Sequence, residues 1–247
     1  MNEQPFISIC TPLFNRTQWK PLMKFNLRNL DYPKEKLEWC ILDSYDNKEV
    51  VWDKFFKNQK DIDDFEKKIG IKIKYVCDNN SYTIGQKRNK LVKMSSHNII
   101  ANMDSDDAYL PNWLKHSLEV MNSDKKCSFV GTPEMQFVFP HYDYKMTGIK
   151  CPQKRMIHEA ASVFTKKHWK KMNGYARSSA GEGTSLIDGI ESKCLPTSAE
   201  QCIICVCHND NTINKERFKD KCDKEVRLTG PLRKILEKII NNPKIET

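Results

Sequence analysis

Three carboxylates in four positions interrupt an apolar run near the middle of the chain. Asp104, Asp106 and Asp107, with Ser105 between them, follow the apolar segment IIANM. Carboxylate oxygens at the end of a strand are ligands that hard cations such as Mg²⁺ and Mn²⁺ prefer. An acidic turn in solvent, ahead of a helix that begins near Pro111, would have the same composition. The cluster alone therefore leaves a metal site and a solvated turn both open.

The composition indicates an enzyme-sized folded protein with an excess of positive charge. The chain has 247 residues, 39% of them hydrophobic, which is enough for one α/β domain with or without an appendage. Its net charge of +9 favours an anionic partner such as a nucleotide, a nucleic acid or an acidic membrane surface. The sequence shows neither an apolar leader nor a membrane-spanning run of roughly 20 residues. We expect a cytoplasmic protein, soluble or peripherally membrane-associated, and its many Lys, Asn and Ile residues fit an AT-rich, for example viral, genome.

The ten cysteines are scattered through apolar segments and are predicted to be reduced. Cys202, Cys205 and Cys207 with His208 resemble a zinc cluster at first sight. Their segment, CIICVCH, alternates like a buried strand, and no second cysteine pair in the sequence is suitably spaced. We therefore favour thiols in the core over structural zinc.

The first part of the chain has the rhythm of a βαβ unit. A β-rich run breaks at Thr11 and Pro12, an amphipathic helix follows Thr17, and a second apolar run ends at Asp43. Parallel strands of such a unit present their carboxyl ends at one edge of the sheet, where ligands bind. The turns over 11–16 and 43–46 are therefore expected at the same edge.

Further strands and helices are predicted before the acidic cluster. Residues 48–68 are charged with interspersed aromatics and predict a surface helix, and residues 71–78 predict a third strand. Gly85 precedes a helix rich in Lys and Arg, and residues 98–103 predict a fourth strand that ends at the cluster. The carboxylates thus also lie at the carboxyl end of a strand.

The order of these segments resembles the nucleotide-sugar-binding half of a family-2 glycosyltransferase with the GT-A fold. The matching stretches are ISICTPLFNR, CILDSYDN and IGQKRNKLVKMSSHNIIANMDSDDAYLPNWL, with a weaker match over about 155–212. In that family a Pro-Thr-Tyr-Asn-Arg-like turn, a strand ending in Asp, a Gly-x-x-x-Arg-Asn helix and an Asp-x-Asp strand end follow one another. The resemblance implies a mixed, mainly parallel α/β sheet flanked by helices, and it favours the metal site over the solvated turn.

The resemblance implies a role for each matching residue. It places the following residues around the donor: Thr11, Pro12, Phe14 and Arg16 beside the base and diphosphate, Asp43 on the base, Arg88 on the base or diphosphate, Asp104 at the ribose and the metal, and Ser105 as a further donor-binding residue. Asp106, with Asp104 and His208, would hold Mn²⁺ or Mg²⁺. The implied donor is a nucleoside-diphosphate sugar, with a UDP-sugar favoured.

Two donor-side assignments have structural alternatives. Asp43 could instead cap a turn, and Arg88 could lie on a solvated basic face. The sequence also departs from the family where a second Asp and a Gly usually follow, since Ser44 and Tyr45 stand there. Recognition of the base is therefore expected to differ.

A glycine-rich acidic loop in the later half supplies the predicted catalytic base. HEAASVFTKKHWKKMNGYARSSAGEGTSLIDG resembles the family stretch in which a helix ending in Gly, here Gly174, leads to an acidic motif, commonly a Glu-Asp pair. Glu182 lies in this loop, and Gly183 occupies the place of the Asp. We expect Glu182 to be the base, with Asp188 in reserve. An exposed Glu in a loop is the structural alternative.

The residues beside each histidine predict whether it lies at the site or on the surface. His208 ends the strand ICVCH, where the resemblance implies a metal or diphosphate contact. His158, beside Glu159, could line the sugar or acceptor pocket. Three others are predicted to lie on the surface: His97, His116 and His168.

The pattern changes towards the end of the chain. We expect a catalytic domain over 1–212, divided into a donor half over 1–115 and an acceptor and catalytic half over 116–212, followed by a C-terminal helical appendage over 213–247. Residues 141–155 are predicted to be irregular. The apolar stripe of the last helix could pack on the domain, on a second copy of the chain or, with its basic residues, on a membrane surface. Its members are Leu232, Ile235, Leu236, Ile239 and Ile240.

Together these patterns predict a metal-dependent, inverting glycosyltransferase of the hexosyltransferase type, acting on a hydroxyl of a glycan or glycoconjugate. A sugar-phosphate nucleotidylyltransferase is one alternative, but the turn TPLFNR has none of the glycines of its phosphate loop. A basic nucleic-acid-binding protein is another, but its charges should cluster on one face, whereas here they are spread along the sequence. No nucleic-acid partner is therefore expected.

Overall fold

Apolar residues run almost without interruption through the first strands, as parallel strands covered on both faces require. β1 (Ile7–Leu13) and β2 (Leu37–Ser44) are buried along nearly their whole length. In the computed structural model, the described residues are 4–44, 53–150, 157–190, 193–211, 214–221 and 226–241.

The remaining elements alternate between strands and helices before the chain turns to shorter strands. The other strands are β3 (Lys72–Asp78), β4 (Ile99–Asn102), β5 (Ala108–Tyr109), β6 (Phe129–Gly131), β7 (Glu134–Phe139), β8 (Lys145–Lys150), β9 (Val163–Thr165), β10 (Leu195–Pro196), β11 (Ile203–Val206) and β12 (Val226–Arg227). The α-helices are α1 (Lys20–Asn29), α2 (Gln59–Ile69), α3 (Ile84–Met94), α4 (Trp113–Asn122), α5 (Lys166–Lys171), α6 (Ala199–Cys202) and α7 (Gly230–Ile240).

The described strands form a seven-stranded sheet in the order β10-β6-β9-β4-β1-β2-β3. β9 runs antiparallel to both of its neighbours, and the other adjacent pairs are parallel. This arrangement confirms the expected mixed, mainly parallel central sheet flanked by helices. A five-stranded sheet has the order β12-β8-β7-β11-β5 and combines β5 with four strands from the chain's later half.

The register of the central strands brings their carboxyl ends together. Leu13 at the end of β1 pairs with Asp43 of β2, and Cys10 pairs with Asn102 at the end of β4. The turn after β1, the end of β2 and the acidic cluster after β4 therefore share one edge, as the sequence predicted for parallel strands.

The last described elements pack on the body of the protein. β12 pairs antiparallel with β8, and α7 buries Leu236 and Ile239 in the main hydrophobic core. The apolar stripe of α7 thus packs within the chain, although residues 222–225 and 242–247 of the predicted appendage lie outside the described residues. Among the described helices, none is long and apolar enough to cross a bilayer.

The predicted surface helix over 48–68 is wrong in its start, whereas α2 itself lies on the surface and buries only Ile69. Residues 45–52 lie outside the described residues, and α2 begins only at Gln59, capped by the side chain of Asn58. Phe55 and Phe56 precede the helix and are buried against Trp39 and other aromatic rings. Their burial fixes this segment in an irregular conformation.

Other local expectations are also corrected. The segment predicted to be irregular over 141–155 contains β8, which pairs antiparallel with β7 and accommodates Gly148; residues 151–155 lie outside the described residues. β1 continues through Thr11 to Leu13 because both are buried beside β2. The strand predicted from Cys202 begins one residue later, after α6.

The prediction that His168 lies on the surface is wrong. It is 3% exposed, and its Nε2 donates to the Leu186 carbonyl at 2.7 Å while its Nδ1 accepts from the Ser128 hydroxyl at 2.9 Å. The ring therefore joins α5 to the acidic loop region and to the strand that follows residue 128.

Candidate active site

The acidic cluster follows β4 and is held by hydrogen bonds to neighbouring segments. The Met103 N–H donates to the Cys10 carbonyl at 2.9 Å. The Asp104 N–H donates to the Tyr109 hydroxyl, which in turn donates to the Ala160 carbonyl, both at 2.7 Å. Burial raises the pKa of Tyr109 well above its ordinary value, so the hydroxyl keeps its proton and both contacts.

Arg88 joins two carboxylates that are far apart in the sequence. It is 3% exposed; its Nε donates to Glu182 Oε1, and its Nη2 donates to Asp104 Oδ1, both at 2.9 Å. Burial alone would lower the pKa of Arg88, but the charges of Asp104 and Glu182 raise it well above its usual range. These three residues, which we call the Arg88 cluster, are a charge-assisted network, so Arg88 does not lie on a solvated face.

Close backbone packing positions Arg88. The Gly85 N–H in the first turn of α3 donates to the Ser178 carbonyl at 2.9 Å. A Cβ at Gly85 would lie 1.9 Å from the Ala176 carbonyl oxygen, so a side chain does not fit there. Glycine at this position lets α3 dock directly on the segment that leads to Glu182.

Asn89 also binds α3 to the segment that leads to Glu182. Its Nδ2 donates to the Tyr175 carbonyl at 2.9 Å, and its Oδ1 accepts from the Tyr175 N–H at 2.9 Å and from the Trp169 indole at 2.8 Å. Arg88, which forms the Arg88 cluster, and Asn89, which binds the segment leading to Glu182, are therefore adjacent on α3.

Asp106 lies among cationic and hydrogen-bonding groups from two other segments. Its Oδ2 is 3.0 Å from His208 Nε2 and 4.0 Å from Arg16 Nη2, which also donates to the Asp210 carbonyl at 3.2 Å. Burial alone would raise the pKa of Asp106, but the His208 hydrogen bond and the charges of Arg16 and Lys215 lower it to about 2. The carboxylate is therefore ionised throughout the neutral pH range.

The carboxylates at Asp104 and Asp106 fit a hard divalent cation, because both offer oxygen ligands from one short turn. His208 lies beside these carboxylates. Its Nε2 is 3.0 Å from Asp106 Oδ2 and 2.9 Å from Asn211 Nδ2, and its Nδ1 accepts from the Asp210 N–H at 3.2 Å. The structure therefore brings His208 to Asp106, as the sequence predicted, and its role as a metal ligand stays a prediction.

Asp107 has different partners from Asp106. Its Oδ1 accepts from the Val206 N–H at 3.0 Å and lies 3.9 Å from Lys215 Nζ. Burial raises the pKa of Asp107 to about 7, and the Lys215 charge opposes this rise. Asp107 therefore ties the acidic turn to β11.

Asp107, His158 and Cys205 bring potential ligand atoms within 4.8 Å of one another. However, His158 Nδ1 accepts from the Ala160 N–H at 3.1 Å, which leaves its proton on Nε2, 3.3 Å from Cys205 Sγ. Burial lowers the pKa of His158 to about 3 and raises that of Cys205 well above its usual value. Because Nε2 carries a proton and Lys215 already supplies a cation, we interpret this group as a buried hydrogen-bonded cluster.

Two residues predicted to face the donor base are bound within the protein. The buried Thr11 hydroxyl accepts from the Trp39 indole at 2.8 Å. Asp43 is 1% exposed, and its Oδ2 accepts from the Phe55 N–H at 2.8 Å and from the Tyr75 hydroxyl at 2.7 Å. Asp43 thus holds the segment that follows β2 against β3.

The remaining predicted site residues differ in position. Pro12 and Phe14 are partly exposed near the carboxyl end of β1, and Lys87 Nζ lies 5.7 Å from the centre of the Phe14 ring. Ser105 is buried within the acidic turn. Asp188, the reserve base, is exposed and makes no polar contact with the Arg88 cluster in the described part of the chain.

Two further charged residues, Lys215 and Glu159, lie at the site and were not predicted from the sequence as site residues. Lys215 reaches Asp107 from a short segment after β11, and no local pattern marked it. Glu159 accepts from the Gly183 N–H through Oε1 at 3.3 Å, and burial followed by the charge of Glu182 raises its pKa. Its position beside His158, which the sequence placed near a pocket, was the available signal.

A mainly parallel sheet whose carboxyl edge carries two neighbouring carboxylates, Asp104 and Asp106, and a buried arginine has the form of a GT-A type of α/β protein. The chain belongs to glycosyl transferase family 2, whose model matches residues 8–174. No curated protein shows a significant sequence match.

Several solved structures share the fold. The mannosyltransferase PcManGT from Pyrobaculum calidifontis, in complex with GDP-Man and Mn²⁺, is 13% identical with a TM-score of 0.61, over 88% of this chain and 59% of that one. S. aureus TarS 1-349 in complex with UDP-GlcNAc is 14% identical with a TM-score of 0.59, over 83% of this chain and 60% of that one. The chain therefore spans about three fifths of the length of these structures. At such identities the likeness shows the GT-A fold alone.

Proposed function

We propose that the protein is a metal-dependent, inverting glycosyltransferase that moves a hexose from a nucleoside-diphosphate sugar to a hydroxyl of a glycan or glycoconjugate. The observation that carries this proposal is the alternation of charges at the carboxyl edge of the sheet. Asp104 lies 2.9 Å from Arg88, and Asp106 lies 4.0 Å from Arg16. Carboxylates suit a divalent cation and arginines suit a diphosphate, so one edge offers both kinds of ligand.

The donor and metal classes are supported by the family and by the molecules bound to proteins of the same fold. The PcManGT structure contains GDP-Man and Mn²⁺, and TarS structures contain UDP or UDP-GlcNAc. We propose Mn²⁺ or Mg²⁺ as the cofactor, held by Asp106 and Asp104, and a UDP-sugar as the favoured donor. The ion would stabilise negative charge on the diphosphate leaving group.

Residues of this chain have separate tasks in such a reaction. Arg16, whose side chain is 22% exposed and lies 4.0 Å from Asp106, can contact the diphosphate beside that carboxylate. Arg88 fixes the orientation of the Asp104 carboxylate. His208 holds the Asp106 carboxylate through Nε2. Preorganised charges of this kind favour the departure of an anionic group because they need no rearrangement as the charge develops.

The proposed inversion of the anomeric configuration follows from a single displacement at the anomeric carbon. An acceptor hydroxyl loses its proton to a carboxylate as its oxygen bonds to the anomeric carbon, and the sugar–phosphate bond breaks with its electron pair on the diphosphate oxygen. Attack and departure on opposite faces invert the anomeric configuration.

A panel of nucleotide sugars tests the function. We expect UDP-sugars or GDP-mannose, with Mn²⁺ or Mg²⁺, to raise the melting temperature and to be slowly hydrolysed, with water as the acceptor. Hydrolysis should disappear when EDTA removes the metal. If none of the donors stabilises the protein or is hydrolysed, the proposal is wrong.

A further inference from the structure

The predicted base, Glu182, is buried and bound to Arg88. Its carboxylate is 6% exposed and accepts from Arg88 Nε at 2.9 Å, so a guanidinium occupies one of its oxygens. A buried carboxylate that accepts a charge-assisted hydrogen bond from a guanidinium is held in place and has little room to meet an acceptor hydroxyl. Glu182 is therefore better suited to hold Arg88, and through it Asp104, than to activate an acceptor.

Glu159 lies beside this pair with much less engagement. Among the described residues, its carboxylate accepts one hydrogen bond from another residue, the 3.3 Å contact from the Gly183 N–H. The side chain is partly exposed. Burial and the neighbouring charge of Glu182 raise its pKa, while Arg88 opposes the rise more weakly. A carboxyl in such surroundings can take up a proton at a pH closer to neutrality.

The position of Glu159 is fixed by its backbone. It begins a 3₁₀ turn over Glu159–Ala161, and its carbonyl accepts from Asn102 Nδ2 at 3.0 Å at the end of β4. The next carbonyl, that of Ala160, accepts from the Tyr109 hydroxyl that also binds the Asp104 N–H. The turn that carries Glu159 is therefore tied directly to the strand end that carries the acidic cluster.

Glycine at position 183 gives Glu159 its place. A Cβ on Gly183 would lie 2.2 Å from Glu159 Cγ and 3.1 Å from its Cδ and Oε1. The side chain of Glu159 thus fills the space that a side chain at position 183 would need. Gly183 is absent from the glycines with positive φ, so its backbone does not itself require glycine.

We propose that Glu159, entering the space left by Gly183, is the general base that deprotonates the acceptor hydroxyl, and that Glu182 is a positioning residue. This inference rests on the proposed glycosyl transfer. The Glu159 carboxylate takes the hydroxyl proton as the new oxygen–carbon bond forms, and the electron pair of the broken sugar–phosphate bond leaves with the diphosphate.

Matched glutamine variants separate the two carboxylates. With UDP-GlcNAc and GDP-mannose as donors and water as acceptor, Glu159→Gln should reduce the rate of nucleoside-diphosphate release about 10²- to 10⁴-fold, as loss of a general base does. Glu182→Gln keeps a carbonyl oxygen for Arg88 Nε, so its loss should stay within about tenfold and its main effect should be on KM. The exposed Glu119→Gln on α4 serves as the unchanged control.

Moving the carboxylate from position 159 to position 183 tests whether the lost hydrolysis activity can be rescued. Glu159→Ala removes the side chain that would clash with a residue at 183, and Gly183→Asp then supplies a carboxylate to the same space. The double variant should hydrolyse the donor at least about tenfold faster than Glu159→Ala, within the contribution of a general base. Circular dichroism should show that all variants are folded.

The outcomes distinguish this inference from the proposed function. A folded Glu159→Gln that keeps more than about a third of the wild-type rate, or a Glu182→Gln loss as large as that of Glu159→Gln, would overturn the assignment of the base. A double variant no more active than Glu159→Ala would also count against it. A wild-type protein that neither binds nor hydrolyses any donor refutes the function itself.

Discussion

Removing the buried cation at Arg88 should destabilise the protein in a pH-dependent manner. Arg88→Met keeps much of the side-chain length but leaves Asp104 and Glu182 as neighbouring carboxylates without their shared counter-charge. Breaking a buried ion pair in this way typically costs about 3–5 kcal/mol. Glu182 is 6% exposed and Asp104 is 28% exposed, so solvent screens part of the Asp104 contribution. We therefore expect the lower end, about 3 kcal/mol at pH 8, or about 6–12 °C in Tm.

The sign of the pH dependence follows from proton linkage. Burial already raises the pKa of Asp104 in the wild-type protein, although Arg88 opposes the rise. Without Arg88 this pKa rises further above its value in the unfolded chain, so the folded variant binds more protons than the unfolded one. Its stability therefore falls as pH rises, and the destabilisation relative to wild type should be smaller at pH 5 than at pH 8.

Urea unfolding at the two pH values measures this effect. Lys90→Met is the matched control, because Lys90 lies on the same helix, its side chain is 45% exposed and its ion pair with Asp78 spans 3.4 Å. That surface pair should contribute less than about 1 kcal/mol. Adding Glu182→Gln to Arg88→Met should restore part of the loss at pH 8 by removing one buried charge. An Arg88→Met loss under about 1 kcal/mol, or one equal at both pH values, would refute the reasoning.

Three further predictions test other parts of the site. Asp106→Asn should abolish metal-dependent release of nucleoside diphosphate and lower Tm by no more than about 5–10 °C, measured in parallel, because the contacts that lower the pKa of Asp106 to about 2 stabilise the fold by about 2–2.5 kcal/mol. Lys215→Met should cost about 1–3 kcal/mol in urea unfolding, and more at pH 8 than at pH 6, because loss of the cation raises the pKa of Asp107 further above its present value of about 7. Gly85→Ala should cost more than about 2 kcal/mol, because its Cβ would lie 1.9 Å from a backbone carbonyl, whereas Gly148→Ala, with its nearest atom at 3.5 Å, serves as the open control.

The central sheet was predictable because its signals are local. Continuous apolar runs ending at polar turns marked β1, β2 and β4, and parallel pairing then required their carboxyl ends to meet. β8 was not predictable on the same basis. Its sequence, KMTGIK, is only partly buried and contains Gly148, so neither continuous apolarity nor clear alternation identified it. Pairing with β7 supplies its stability.

The individual residues of the site were predictable from the sequence, but the contacts between them were not. Motif order singled out Arg88, Asp104 and Glu182 as separate features, but their ion cluster depends on the docking of α3 against the loop near Ser178. Asp43 shows the opposite case: its position at the strand end was predicted, while its hydrogen bonds come from aromatic residues later in the chain. Such contacts depend on tertiary packing, which the local pattern does not specify.

The same packing gives the carboxylates different pKa values. Asp106 has a pKa of about 2 because His208 and nearby cations outweigh its burial, which keeps it ionised, as the proposed cation binding requires. Glu159 has a raised pKa because burial and the charge of Glu182 outweigh the weaker effect of Arg88. One site thus contains an ionised carboxylate and a more basic carboxyl, the two environments that metal binding and proton removal require. A positive charge placed beside Glu159 should therefore reduce the hydrolysis rate without weakening metal binding, since it would lower the basicity of Glu159 alone.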